Sequence, residues 1–271
     1  SPLVLRDLDL IQAIHQKARA VVAFSMISVP GAPNYERVTA LEHLAPPAPK
    51  RLAAMAKLAA AGIPTGVCAM PLLPGLCDKR ENLLPLVEQV TDNGGQFVLA
   101  SSLTLADQQR AYFFSVLEER FPDLLVEYQR LYPASAYAPA GYDWKSVACL
   151  VRELCEKAGI RDRQPRPIIP GDKHGLNRKI VEQLAEKVYS LELEGAPSEF
   201  VWTYRKAAWA VEDLEQDIRL VLQVMGQKGL ESIPGIGTEM AGKIRQLAVE
   251  LAQPSSQAGR LDGRIIDLFS A

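Results

Sequence analysis

The sequence predicts two folds in series: an α/β domain of parallel strands over residues 1–158, then a small all-helical domain over 176–252. Three observations carry this. Short apolar runs at Val21–Met26, Thr65–Met70 and Gln96–Ala100 alternate with amphipathic helical stretches, the pattern of βαβ units. The stretch 159–175, GIRDRQPRPIIPGDKHG, holds Arg161, Arg163 and Arg166 among its prolines with almost no periodicity, and reads as a linker. From Leu176 onward only helical periodicity remains.

Taken in order, Pro2–Arg6 reads as a strand, and Asp7 can cap a helix over Leu8–Arg19, with Leu10, Ile11 and Ile14 on its apolar face. Val21–Met26 is the next strand. Residues 28–49 form a long proline-containing loop with a short helix at 35–43. Arg51–Asp78 reads as helix, turn, strand and loop. Leu52, Met55, Ala56, Leu58 and Ala59 fall at helical spacing, Gly62 ends the helix where φ > 0 is wanted, and Pro64 follows. Thr65–Met70 is nearly continuous in apolar residues, as a strand buried on both faces would be, and Pro71, Pro74 and Gly75 break it. Leu83–Thr91 is helical, Gly94-Gly95 ends that helix, and Gln96–Ala100 is a strand. Thr104 then caps a helix to about Arg120, and Asp123–Leu131 and Asp143–Ala158 are helices on either side of a Tyr/Pro/Ala-rich turn at 132–141. Four strands joined by right-handed crossovers make a partial (β/α) barrel, whose ligand sites belong at the carboxyl ends of the strands.

Composition bounds the function. The chain has 271 residues, 48% hydrophobic and 23% charged, with a net charge of −2, so no global basic field draws nucleic acid and any such contact is local. No signal peptide or membrane-length apolar run is visible. Cys68, Cys77, Cys149 and Cys155 show no CxxC spacing and read as free thiols, which suits a cytoplasmic location. Cys68 reads as core, and Cys77 as more exposed. His15, His43 and His174 have no ligand partners in sequence, Asp107, Glu118 and Glu119 look like helix-surface charges, and no paired acid/base constellation appears.

The first half also carries a resemblance. With AFSM at 23–26, LEHLAPPAPKRL at 41–52 and MPLLPGLCD at 70–78, residues 1–140 resemble the radical S-adenosylmethionine proteins related to spore photoproduct lyase. The resemblance implies a six-stranded barrel, S-adenosylmethionine and a [4Fe–4S] cluster. It places Ser25 near the cofactor, makes Arg51 a fork donor to the cofactor carboxylate, and matches Glu42 to a family glutamate. Family members hold the cluster with CxxxCxxC, three thiolates that leave one iron open. That motif is absent from this sequence, and in the family it precedes the equivalent of Ser1. The expectation is therefore a barrel lacking its first strands, in a chain that holds neither cluster nor cofactor by itself.

In the second half, TYRKAA at 203–208 and IPGIGTEMAGKI at 233–244 resemble the helix-hairpin-helix domain at the N-terminus of DNA polymerase β and the bacterial X-family polymerases, over about 176–252. Residues 253–271 read as a flexible tail ending in a short apolar segment. In the hairpin, Gly235 and Gly237 are expected to take backbone angles closed to other residues and let the turn approach a phosphate. Amides at the start of the second helix would then point at the anion. Gly235, Ile236, Gly237, Thr238, Lys243 and Arg245 are the expected DNA-binding residues. Ile233, Ile236, Met240 and Ile244 would hold the two helices together. The resemblance also implies a monovalent cation on the carbonyls of Glu231, Ile233 and Ile236. It matches Lys243 to a Schiff-base lysine and Tyr204 to a family tyrosine, but Glu239 and Phe200 stand where the family is basic. A carboxylate one turn away holds an amine protonated, so lyase chemistry at Lys243 is disfavoured.

Together the resemblances imply a fragment of a radical S-adenosylmethionine enzyme carried to DNA by a sequence-independent module, in DNA repair. The alternative is a non-enzymatic DNA-binding or protein-interaction module with a vestigial barrel. Residues 171–252 favour the alternative in one respect: ten Lys/Arg against thirteen Asp/Glu give net −3.

Overall fold

The computed structural model describes residues 1–252 apart from His43, Ser135, Pro167, Ile169 and Pro170; the expected tail at 253–271 lies outside the described residues. The chain divides into two compact units. One is Ser1–Gln16 with Ala20–Gln164; the other is Lys17–Arg19 with the residues from Pro165 on.

In the first unit, β1 (Val22–Ser25), β2 (Thr65–Leu72) and β3 (Val98–Ser102) form an open parallel sheet in the order β1-β2-β3. Seven helices accompany them: α1 (Leu8–Ala18), α2 (Tyr35–Leu41), α3 (Ala48–Ala60), α4 (Arg80–Asp92), α5 (Asp107–Arg120), α6 (Pro122–Leu131) and α7 (Trp144–Lys157). Phe24, Val67 and Val98 share one row of the sheet and are buried with Leu52 and Met55 of α3 and Leu86 of α4. Side chains alternate across a strand, and on the opposite face of β1 Ala23 and Ser25 are exposed. Gly62 ends α3 as its sequence asks, at φ +77, with its amide on the Ala59 carbonyl at 3.0 Å.

Four expectations are corrected here. Pro2–Asp7 is a 3₁₀ helix rather than a strand: proline sits in its first turn, and the Val4 amide bonds the Ser1 carbonyl at 3.1 Å. The described residues therefore hold three strands, not four, in an open parallel sheet. Thr104 does not cap α5, which begins at Asp107. Leu103 and Leu105 are buried, and the Leu105 amide is taken by the Tyr137 carbonyl at 2.8 Å, so the segment is held straight past Thr104. Finally, the start of the predicted linker belongs to the sheet. Arg161 pairs in parallel with Phe97, taking the Gln96 carbonyl at 3.0 Å and giving its own to the Val98 amide at 2.9 Å. Buried backbone groups must find partners, and the edge of β3 supplies them.

The second unit holds α8 (Gly175–Glu194), α9 (Ser198–Glu212), α10 (Ile218–Glu231) and α11 (Thr238–Ala252). Its core joins Ile180 and Leu184 of α8, Val211 of α9, Leu230 of α10 and Ile244 of α11. Buried Asn177 pins the start of α10: its amide nitrogen donates to the Gln216 carbonyl and its oxygen accepts from the Ile218 amide, both at 2.9 Å. No helix among the described residues is long and apolar enough to cross a membrane.

Candidate functional site

Two places gather the predicted residues. The first is the carboxyl end of the sheet. Ser25 closes β1, and its carbonyl accepts from Arg51 Nη1, while Arg51 Nη2 reaches Glu42 Oε2 at 3.2 Å. Residues from two separate stretches of the sequence thus meet in one cluster. Arg51 is 8% exposed and its Nε has no partner. The fork implied for a cofactor carboxylate is engaged inside the protein, where it ties the start of α3 to the end of β1. A cleft of about 380 Å³ opens beside this cluster, lined by Glu42, Pro71, Leu73, Leu103, Tyr112 and Glu119. It lies at the ends of β2 and β3, where parallel sheets place ligands.

The loop after β2, LPGLCD, is held by bonds within it and from two tyrosines. Asp78 accepts from the Gly75 amide at 3.0 Å and from the Tyr142 hydroxyl at 2.7 Å. The Tyr128 hydroxyl donates to the Pro74 carbonyl at 2.9 Å. Burial, reinforced by the bond to Asp78, pushes the Tyr142 phenol above its ordinary range. Cys77 takes the Leu73 amide at 3.0 Å, and burial pushes its thiol up to about 12. Cys77 is thus inert filling rather than an exposed loop thiol, and Cys68, expected in the core, is half-buried on the open side of β2. Asp78 and Tyr142 went unrecognised because they lie 64 residues apart; the only local sign was an Asp three residues after Gly75, suited to accepting that amide.

The donor set does not fit an iron–sulfur cluster. Cys77 and Cys155 are buried, Cys149 is exposed, and no group of three His, Cys, Asp or Glu among the described residues could hold a metal. His15 Nδ1 lies 3.1 Å from the Ala20 carbonyl, His174 precedes α8 with Nδ1 buried and unpartnered, and His43 lies outside the described residues.

The second place is the hairpin between α10 and α11. Gly235 takes φ +94, and a side chain there would meet the Lys206 carbonyl at 3.4 Å and the Ala210 Cβ at 3.8 Å, so the turn lies against α9. Ile236 is 3% exposed and anchors the turn with Met240 and Ile244, while Gly237 and Thr238 face solvent. The Ile233 carbonyl, one of the three implied for a cation, accepts the Ile236 amide at 3.0 Å. Gly237 corrects the reading of the two glycines: only Gly235 has a positive φ, and a side chain at Gly237 would meet nothing within 4 Å.

No protein-family model, curated protein or solved structure matches this chain.

Chemistry at the hairpin therefore rests on its own residues. Lys243 Nζ donates to Glu239 Oε1 at 2.7 Å and to the Tyr204 hydroxyl at 2.8 Å. The carboxylate first, and the phenol oxygen second, raise the lysine above its ordinary value. An amine so held stays protonated and is no nucleophile. Arg245, on the next residue but one, is exposed. The signal missed in the sequence was on α9, where Trp202 and Trp209 stand about half exposed with ring centroids 6.0 Å apart. Their seven-residue spacing puts them on one helix face.

Proposed function

We propose that the second unit is a helix-hairpin-helix module that holds a DNA backbone phosphate without reading sequence. We propose further that the first unit is part of a radical S-adenosylmethionine barrel of the spore photoproduct lyase-like family, in a protein of DNA repair. The observation that carries the first reading is the turn itself: Gly235 at φ +94, Ile236 buried, and Gly237 and Thr238 exposed at the head of a 15-residue helix. The first amides of a helix have no intrahelical partner and face an anion favourably. Gly237 adds no side chain between them and a phosphate. Arg245 supplies a free-standing charge, and Lys243, shared with Glu239, supplies less.

The reading of the first unit is supported by the meeting of Ser25, Glu42 and Arg51 at the strand ends. The radical chemistry of that family is supplied by a cluster and cofactor that this chain's cysteines do not fit, so the chain alone is inactive in this reading. Reconstitution with iron and sulfide gives no stoichiometric cluster; a stable four-iron centre on Cys68, Cys77, Cys149 and Cys155 overturns the reading that this chain holds no cluster by itself.

The hairpin is tested by titrating a labelled duplex at two salt concentrations. With few phosphates neutralised, Kd falls at roughly 10⁻⁴–10⁻⁶ M with a shallow salt slope of about −1 to −3. Gly237→Val abolishes binding and leaves helicity intact, since the fold has room for the side chain while a phosphate does not. Undetectable binding at low salt moves the hairpin to the second reading, a protein-interaction module. The neutralisation of Lys243 by Glu239 and the net −3 over 171–252 favour that reading.

A further inference from the structure

We propose that the first half of α10 is a docking face for this chain's own apolar segment Ile265–Phe269, which seats on Leu220 and Val224. The face lies before the Gly226 break, and the hairpin turn lies after it. The inference does not rest on the hairpin reading.

Ile218–Met225 reads IRLVLQVM, and Gly226 at φ 60 and ψ −153 sets it off as a short helix of its own. Ile218 and Val221 are buried in the core of the unit, and Leu222 packs against that core. The other large side chains stay in water: Leu220 is 55% exposed, Val224 76% and Met225 53%. Leu220 and Val224 are four residues apart and share one helix face. Single apolar side chains on a surface are ordinary, but a helix that is apolar all round is one that is covered all round. The fold covers only one side of this one.

The chain itself carries a segment that fits the other side. Residues 253–271 follow α11 and lie outside the described residues. In QPSSQAGRLDGRIIDLFSA, a mostly polar stretch with Gly259 and Gly263 leads to Ile265, Ile266, Leu268 and Phe269. At helical spacing these four fall on one side and Asp267 on the other, the pattern by which a short segment lays an apolar face on a partner surface. Charge agrees with the pairing. Arg260 and Arg264 precede the apolar residues, and exposed Asp213 and Glu215 precede Leu220. Reach agrees as well. A coil the length of residues 253–264 spans roughly 19 Å, against a radius of gyration of about 12 Å for a unit of this size. Three side chains are too little for a dimer of separate chains, which needs roughly 1,000 Å² of buried surface. A tethered segment acts at an effective concentration in the millimolar range, so a small face is enough.

The test reads each partner through the other in the full chain. The rate of tryptic cleavage after Arg264 follows the undocked fraction. Val224→Asp changes only α10, at a position open to solvent, and speeds that cleavage about tenfold with helical circular dichroism unchanged. Phe269→Asp changes only the segment and speeds hydrogen exchange in Ile218–Met225 about tenfold. Both effects persist on dilution of the protein, because the contact is within one chain. If either variant leaves the other partner unmoved, the proposal is overturned. Effects that vanish on dilution overturn it too, and give the face to a second copy of the chain.

Discussion

Lys243 shows how much one neighbour decides. Glu239 stands four residues before it, and the structure closes that pair at 2.7 Å while Tyr204 takes a second proton at 2.8 Å. Both partners raise the amine, so at neutral pH it carries a proton and forms no Schiff base. Borohydride treatment with abasic DNA accordingly traps no adduct on Lys243; a trapped adduct lost in Lys243→Ala would contradict this. The half of that site within one helical turn was legible in the sequence; Tyr204 was matched to a family tyrosine by resemblance, and its bond to Lys243 was not foreseen. Cys77 and Cys155 have an ordinary thiol value of 9.0 and are pushed up to about 12, in both cases chiefly by burial. The unfolded chain therefore releases these protons first as pH rises. Their contribution to stability is whole below pH 9.0 and is lost as pH climbs towards about 12. Tyr128, Tyr132 and Tyr142, raised above their ordinary value of 10.0 by burial, act in the same direction at higher pH. The urea midpoint falls between about pH 8 and about pH 10.5, and the loss is smaller in Cys77→Ala measured against its own value at pH 8. Asp78 is the polar counterpart. Asp78→Ala leaves the Tyr142 hydroxyl and the Gly75 amide without their acceptor and costs about 2–3 kcal/mol in denaturant unfolding, whereas a change at exposed Glu88, Glu88→Ala, stays within about 0.5 kcal/mol.

At the scale of elements, glycines mark where the chain is closely fitted. Gly66 is the second residue of β2, and a Cβ there would stand 2.5 Å from the Phe97 ring and 2.6 Å from the Phe97 carbonyl oxygen. The ring could turn, but the carbonyl belongs to the β3 side of the sheet and accepts the Val67 amide at 2.9 Å. Gly66→Ala therefore costs about 3 kcal/mol or more, read as a shift in unfolding midpoint. Gly226 breaks α10 in two, with φ 60 and ψ −153, a region that only glycine occupies freely. Gly226→Ala costs about 1–3 kcal/mol and lowers helicity of the second unit if the kink is required. Neither requirement was visible in the sequence, because a lone glycine in a strand or helix pattern states that something approaches and not what. The helices α3, α4, α7 and α11 were legible within a few residues, since their apolar faces repeat at helical spacing. Thr104 was misread for the opposite reason: a good capping residue was overruled by two buried leucines and a backbone bond to Tyr137.

For the whole molecule, each unit closes its own core, one around the three-stranded sheet and one around α8–α11. Residues 165–252 expressed alone fold cooperatively with helical circular dichroism; a fragment that is unfolded by itself would show that the second core needs the first. The sequence by itself determined the α/β character of the first unit, the helices of the second and the change of composition between them. Those features follow from periodicity and turn chemistry, which act over a few residues. It also named Ser25 and Arg51 for one site, and matched Glu42 to a family glutamate, through resemblance. Only the tertiary structure decided that Arg51 is spent on Ser25 and Glu42, that Asp78 serves Tyr142, that residue 161 extends the sheet, and that the hairpin turn lies against Lys206 and Ala210 of α9. Each of these depends on which groups meet across tens of residues of chain, and a buried donor takes the nearest acceptor the fold presents, wherever it lies in sequence.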